Sequence, residues 1–148
     1  NRILRVSRSD SSTTQYGYDA HGQLTHVTLA SGTQVEYRYD AFAHRVETWV
    51  DGALQTRYIW HMDDVLAEFD AAGTIQRLYT PTYTPDRPIG VSVRHTNADL
   101  VDYYYAPAPN GTILVLLDEN GAIVESYRYR AFGAPVGLPA SPKNTRLF

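Results

Sequence analysis

The sequence predicts an all-β chain of consecutive antiparallel β-hairpins, on three observations. A short motif repeats: Tyr16-Gly17-Tyr18-Asp19-Ala20 recurs as Tyr37-Arg38-Tyr39-Asp40-Ala41, and again as Tyr127-Arg128-Tyr129-Arg130-Ala131. Apolar and polar residues alternate with period two between turn signals, the pattern of half-buried strands. Tyrosine is in excess, with 12 tyrosines against 4 phenylalanines and 1 methionine. A tyrosine ring suits a pleated surface, and its hydroxyl needs a polar partner.

Taken in order, Ser7 to Thr14 is rich in Ser and Thr and reads as a loop. Gln34 to Asp40 alternates Val35, Tyr37 and Tyr39 with Glu36 and Arg38, which predicts a strand. Asp51-Gly52 is a hairpin turn signal, because glycine takes a positive φ without penalty. Leu54 to Trp60 sets Tyr58 and Trp60 on one face and Arg57 and Ile59 on the other. Val65 to Tyr79 is strand, turn and strand around Asp70 to Gly73. Ile113 to Tyr127 repeats that layout around Asp118 to Gly121. Thr80 to Pro88 contains Pro81, Pro85 and Pro88 and is a connection, since proline cannot donate to a central ladder. Ala134 to Lys143 contains Pro135, Pro139 and Pro142 and is expected to be extended and strand-poor. No segment holds a 3.6-residue apolar period for three turns, so no helix is expected.

Composition narrows the function classes. The chain has 148 residues and a formal net charge of −3, so no basic field points to nucleic acid. No Lys/Arg cluster suits an anionic membrane surface. No apolar run nears the roughly 20 residues of a membrane helix. There are 0 cysteines, which removes disulfides, thiolate zinc sites and thiol catalysis. The first residue is Asn1 and the last pair is Leu147-Phe148. Both ends read as cut from a longer chain.

The Tyr-x-Tyr-Asp-Ala motif, followed in its first copy by Gly22-Gln23-Leu24, resembles the YD repeats of the Rhs family. Similar repeats occur in the C subunits of insecticidal Tc toxins and in teneurins. Tyr58-Ile59-Trp60 through Val65 to Asp70, then Gly73 and Tyr79, resembles the run leading into the Rhs-associated core. Asp86-Arg87-Pro88-Ile89 resembles the step after it. Tyr103-Tyr104-Tyr105, Leu117 to Gly121 and Tyr127 to Gly133 resemble the start of that core. On this resemblance residues 1–102 are repeats with a proline-rich connection near 80–88, and residues 103–148 begin the core region. Two departures stand out. Ala106 to Gly111 replaces a segment that carries His and Asp in the family, and Arg130 stands where the repeat prefers Asp.

The resemblance implies hairpins wound into part of a spiral sheet that closes as a hollow shell. The implied partners are the rest of that shell, an enclosed toxin or effector domain, and secretion or delivery machinery. The implied setting is secreted or extracellular, by export from a bacterium. The alternative is a teneurin-like extracellular scaffold contacting glycans or receptor proteins. The structural repeat motif is Tyr16, Tyr18, Asp19, Tyr37, Tyr39, Asp40, Tyr127, Tyr129, Phe132 and Gly133. Its tyrosines are expected to stack from hairpin to hairpin, and its Asp to bond turn backbone. The family's self-cleaving aspartyl segment lies beyond residue 148, so no catalytic residue is carried over. An isolated excerpt is expected to self-associate through unpaired edges.

The remaining polar candidates read as turns. His61-Met62-Asp63-Asp64 has ligand types for a divalent ion, but a polar hairpin turn needs no ion. His21, His26, His44 and His95 are scattered, with His21 and His44 at repeat turns, and no His-x-x-x-His pair exists. No Gly-x-Ser-x-Gly elbow is present. Asp118-Glu119 before Asn120-Gly121 has the chemistry of an acid–base pair or part of a calcium loop, without an EF-hand's spaced ligands. Asn110-Gly111-Thr112 is a formal glycosylation sequon and also a Pro-Asn-Gly turn. The expectation is therefore a structural protein with no catalytic residue, cofactor or metal.

Overall fold

A computed structural model describes residues 2–7 (backbone only), 13–82, 88–95, 99–130, 135–137 and 143. Every regular element among them is a β-strand, so the chain is all-β. It divides into two compact units, one of Asn1–Trp60 with Glu68–Thr74, the other of His61–Ala67 with Ile75–Phe148. The 102/103 boundary set by the family resemblance falls inside a strand of the second unit and concerns repeat class, not compactness.

The first unit contains β1 (Arg2–Ser7), β2 (Thr13–Tyr18), β3 (Leu24–Thr28), β4 (Gln34–Tyr39), β5 (Arg45–Val50) and β6 (Ala53–His61). Each strand lies antiparallel to the next, and sheet order is chain order. Cross-strand partners place Tyr16, Val27, Val35 and Val50 in one row. Val27, in the middle of the row, is buried. Register shifts at Gly17/Tyr18, Arg38/Tyr39 and Thr48/Trp49 each insert one extra residue, which bends and twists the strand locally. The loop expected at Ser7 to Thr14 is shorter than its composition suggests. Ser7 pairs with Thr13 and Val6 with Thr14. Branched threonines fit a pleated strand, and residues 8–12 lie outside the described residues.

The second unit contains most of β7 (Asp64–Phe69), then β8 (Ile75–Thr80), β9 (Gly90–Arg94), β10 (Leu100–Pro107), β11 (Ile113–Leu117) and β12 (Ile123–Ser126), again in chain order. A separate pair, β13 (Arg128–Tyr129) and β14 (Pro135–Val136), joins Tyr129 to Pro135. The tail expected to be strand-poor thus contributes one short edge strand, where proline is tolerated. Register separates two faces. Tyr79, Val91 and Tyr103 share one row, and Tyr105, Leu116 and Glu125 another on the same face. All six are buried, with Leu116 at 0 % and Val91 at 2 % exposure. Burying a side chain of this size contributes about 1.5–3 kcal/mol. Leu78, Ser92 and Asp102 form a row on the opposite face, where Leu78 and Tyr104 are exposed. The tyrosine run of β10 therefore alternates in, out, in.

The connection at Thr80 to Pro88 has residues 83–87 outside the described residues. Its ends meet, because the Ile89 N–H donates to the Thr80 carbonyl at 2.8 Å. Gly90 then pairs with Thr80 on one side and Tyr104 on the other. A Cβ on Gly90 would run into the Tyr103 carbonyl oxygen. That obstacle is backbone, so a side chain there requires the β9–β10 pair to separate. Gly90→Ala is expected to destabilise the protein by about 1–3 kcal/mol, read as a lower midpoint in urea with an unchanged slope.

Candidate functional site: the recurring turn and its aromatic brace

One turn recurs along the chain. At Asp19, Asp40, Asp70 and Asp118 the Asp N–H donates to the carbonyl four residues on, at 2.9–3.0 Å. The N–H of the third residue on returns to the Asp carbonyl at 3.0–3.3 Å. The Asp side chain completes the loop, because its Oδ1 accepts the N–H groups two and four residues on. These are His21 and Gln23 for Asp19, and Phe42 and His44 for Asp40. They are Ala72 and Thr74 for Asp70, and Asn120 and Ala122 for Asp118. The resemblance implied this role for Asp19 and Asp40.

The third residue after each Asp takes a positive φ: Gly22 at 84°, Ala43 at 72°, Gly73 at 81° and Gly121 at 79°. Only glycine does so without strain, so Ala43 is the strained member. The same backbone loop occurs without Asp at Leu29–Thr33 and Ala108–Thr112. There Ser31 Oγ and Asn110 Oδ1 accept the closing N–H groups of Thr33 and Thr112. Asn110, the sequon residue, is thus part of a turn.

An aromatic brace recurs with the turn. The Tyr39 hydroxyl donates to the Leu24 carbonyl at 2.8 Å, and the Tyr129 hydroxyl to the Ile113 carbonyl at 2.8 Å. Trp60 Nε1 donates to the Arg45 carbonyl at 3.0 Å. Each acceptor is the first residue of a strand leaving one of the turns, namely β3, β5 or β11. Burial pushes the phenols of Tyr39 and Tyr129 above their ordinary value. The two halves of the Tyr-Asp dipeptide therefore act in opposite directions: Tyr39 secures the preceding hairpin, and Asp40 builds the following turn.

The other motif residues pack. Tyr16 and Tyr18 are half-buried in β2. Tyr37 does not reach the next tyrosine directly: the Arg45 guanidinium lies between Tyr37 and Tyr58, at 5.1 and 5.0 Å from the ring centres. Cation–π contact thus takes the place of the expected ring stacking between these hairpins. Tyr127 is buried, and its hydroxyl donates to Glu125. Phe132 and Gly133 lie outside the described residues.

The polar candidates fall as follows. His61 ends β6 and Asp64 begins β7, so the turn is Met62-Asp63, with Met62 at φ 52°. Among the described residues, no group of three or more His, Asp or Glu side chains is placed to hold a metal ion. His44, at its repeat turn, is half-buried. Its ring stacks on Trp60 at 4.7 Å, and Nδ1 lies 3.2 Å from Asp40 Oδ2. Burial would raise the Asp40 pKa, but the bonds from His44 and Phe42 outweigh it and lower it. His21 and His26 are exposed, and His95 Nε2 lies 2.9 Å from the Tyr103 hydroxyl. Asp118, with Glu119, Asp102 and Leu100, borders an open cleft, while its Oδ1 is engaged in its own turn.

The opposite face of the first unit is charged. Glu47 accepts Trp49 Nε1 at 2.8 Å, Arg57 Nε at 3.3 Å and Arg38 Nη1 at 3.3 Å. Arg38 also lies over the Trp49 ring at 4.2 Å. The Trp49 hydrogen bond, then the Arg57 hydrogen bond and the charges of Arg57 and Arg38, hold the Glu47 carboxyl below its ordinary value against desolvation. Arg45 and Glu47 were not singled out in the sequence, and Trp60 was named only as a strand residue and as part of the Tyr58-Ile59-Trp60 run. The available signal for Trp60 was its place at the end of a strand, where the motif puts its second tyrosine.

Turn and brace, repeated along strands that pair in chain order, define a tandem β-hairpin repeat protein. The chain matches the RHS repeat over residues 1–34 and 18–53, and over those residues it is similar to that repeat. No curated protein sequence matches it. Among solved structures it is similar to a TcdB2-TccC3 crystal structure, at 20 % identity and a TM-score of 0.54, over 79 % of this chain and 6 % of that one. It is also similar to the Photorhabdus luminescens Tc holotoxin pore with a substituted TccC3, at 21 % identity and a TM-score of 0.52, over 86 % and 7 %. A TcdB2-TccC3-Cdc42 structure matches at 20 % identity and a TM-score of 0.53, over 84 % and 7 %. At these identities the likeness is one of fold, and the chain spans under a tenth of each of those chains.

Asp118→Ala leaves two turn N–H groups without their acceptor and is expected to cost about 1–2 kcal/mol. Asp118→Asn keeps the oxygen and costs less. Ala43→Gly relieves the positive φ and is expected to gain about 0.5–1 kcal/mol. Urea midpoints of the three variants check the order. Glu47 supplies a pH dependence. A carboxyl held below its ordinary 4.5 stabilises the fold fully above that value and loses this contribution as pH falls through the lowered one. The stability gap between wild type and Glu47→Gln is therefore expected to stay level above pH 4.5 and close below it, in urea titrations across the acid range.

Proposed function

We propose that this chain is a length of wall in a larger repeat-built shell that encloses a toxin or effector for delivery outside a bacterium. The observation that carries the reading is the repeated turn-and-brace unit on strands that pair in chain order. A single hairpin is marginal in water, and a unit of this kind gains its stability from its neighbours. Such an array extends by adding hairpins and covers area with little chain. The RHS match over the first 53 residues and the fold likeness to Tc toxin structures support the same reading. In it the chain is not an enzyme: its Asp side chains hold turns, and its tyrosine and tryptophan donors hold strands. Its partners are the rest of the shell, the enclosed domain and the delivery machinery.

A second reading, an open adhesion scaffold contacting glycans or receptors, draws on Phe42 and Met62, which are 81 % and 80 % exposed at turns. Exposed aromatic and thioether groups are common at binding surfaces. Limited proteolysis of the parent protein with mass spectrometry separates the two. A shell wall resists cleavage together with a companion domain that stays associated. Free cutting between hairpins, with no companion released, overturns enclosure and favours the open scaffold.

A further inference from the structure

The two strand–turn–strand segments Val65–Tyr79 and Ile113–Tyr127 place opposite charges at one equivalent position. Arg77 in the first and Glu125 in the second each stand two residues before a buried tyrosine, Tyr79 or Tyr127. Register puts both on the buried face of the second unit, Arg77 in the row of Val93 and Glu125 in the row of Leu116 and Tyr105. One residue far along the chain meets both. The Lys143 N–H donates to the two Glu125 carboxylate oxygens at 3.1 and 3.2 Å. The Lys143 carbonyl accepts Arg77 Nε at 2.9 Å. The Lys143 ammonium lies 3.5 Å from Glu125 Oε1 and 5.6 Å from the centre of the Tyr103 ring.

We propose that Arg77, Glu125 and Tyr103 form a peptide clamp that seats one basic residue of a passing chain, and that Lys143 is its occupant. The clamp reads three things. The carboxylate faces an N–H and the guanidinium faces a C=O, which fixes chain direction. The carboxylate and the tyrosine ring together select a cationic side chain. Glu125 is only 8 % exposed, and a buried carboxylate needs a full set of donors. The Tyr127 hydroxyl, the Lys143 N–H and the Lys143 ammonium supply them. The ligand class is thus a single basic residue, held by its backbone as much as by its side chain. The role is to tie Lys143 to the face of the sheet.

Trypsin cleaves after lysine and so reports directly on this residue. Hydrogen bonds to charged groups of this kind shift an opening equilibrium by about tenfold or more, and cleavage follows the open population when closing is fast. In the full-length parent, cleavage after Lys143 is expected to be at least about tenfold faster in Glu125→Gln and in Arg77→Gln than in wild type, with the melting midpoint little changed. Equal rates in wild type and both variants overturn the clamp. Amide hydrogen exchange in the unsubstituted protein is a second reading, free of any folding defect in the variants. Protection of the Lys143 N–H supports the clamp, and exchange at the rate of unstructured chain overturns it.

Discussion

The architecture depends on how a five-residue turn is closed. Reversing a strand in so short a span forces one residue into the left-handed region and leaves N–H groups pointing inward with no strand partner. A glycine meets the first demand at Gly22, Gly73 and Gly121, and a side-chain oxygen meets the second. Asp does this best in the chain, since one carboxylate oxygen accepts two N–H groups at about the same distance. Where Asp is missing, at Leu29 and Ala108, an oxygen two residues on takes part of the load. The backbone loop is therefore constant, while the chemistry that closes it varies.

The brace converts a series of turns into a sheet. A turn fixes its own hairpin and says nothing about the next. A phenol or indole donor at the end of a following strand, bonded to the first carbonyl after the earlier turn, links one hairpin to its successor. Buried carbonyls need donors, and an aromatic side chain brings apolar area together with that donor. Tyr39, Trp60 and Tyr129 share this geometry although one of them is not tyrosine. The requirement is an aromatic N–H or O–H of suitable reach. Between the braces, Arg45 fills the space separating Tyr37 from Tyr58, which lets neighbouring hairpins use rings without bringing them into contact.

Much of this was legible in the sequence because it is local. Strands show as period-two alternation, and turns show as Asp or Asn followed by Gly. The turn beginning at Leu29 was not evident, since it lacks Asp at its head, and the positive φ at Ala43 was not, since no glycine marks it. The strand ends at Ser7 and Thr13 were hidden by a composition that also suits a loop. What depends on cross-strand distance was out of reach: the Trp60 brace, the Arg45 sandwich and the stacking of His44 on Trp60. Each joins residues whose spacing is set by register and bulges, not by a motif. The two charges that meet at Lys143 belong to segments whose likeness was visible, but nothing in the sequence ties residue 143 to either.

The division of labour within the Tyr-Asp dipeptide bears on how such a chain grows over evolutionary time. Its tyrosine answers to the hairpin before it and its aspartate to the turn after it, so the dipeptide is a joint with matched halves. A duplication that copies one whole period, wherever its breakpoints fall, restores an intact joint at the seam. Length can then change by single units without any new contact having to be selected, and a copy with a different aromatic donor, such as Trp60, stays compatible with its neighbours while it keeps a donor in the same place.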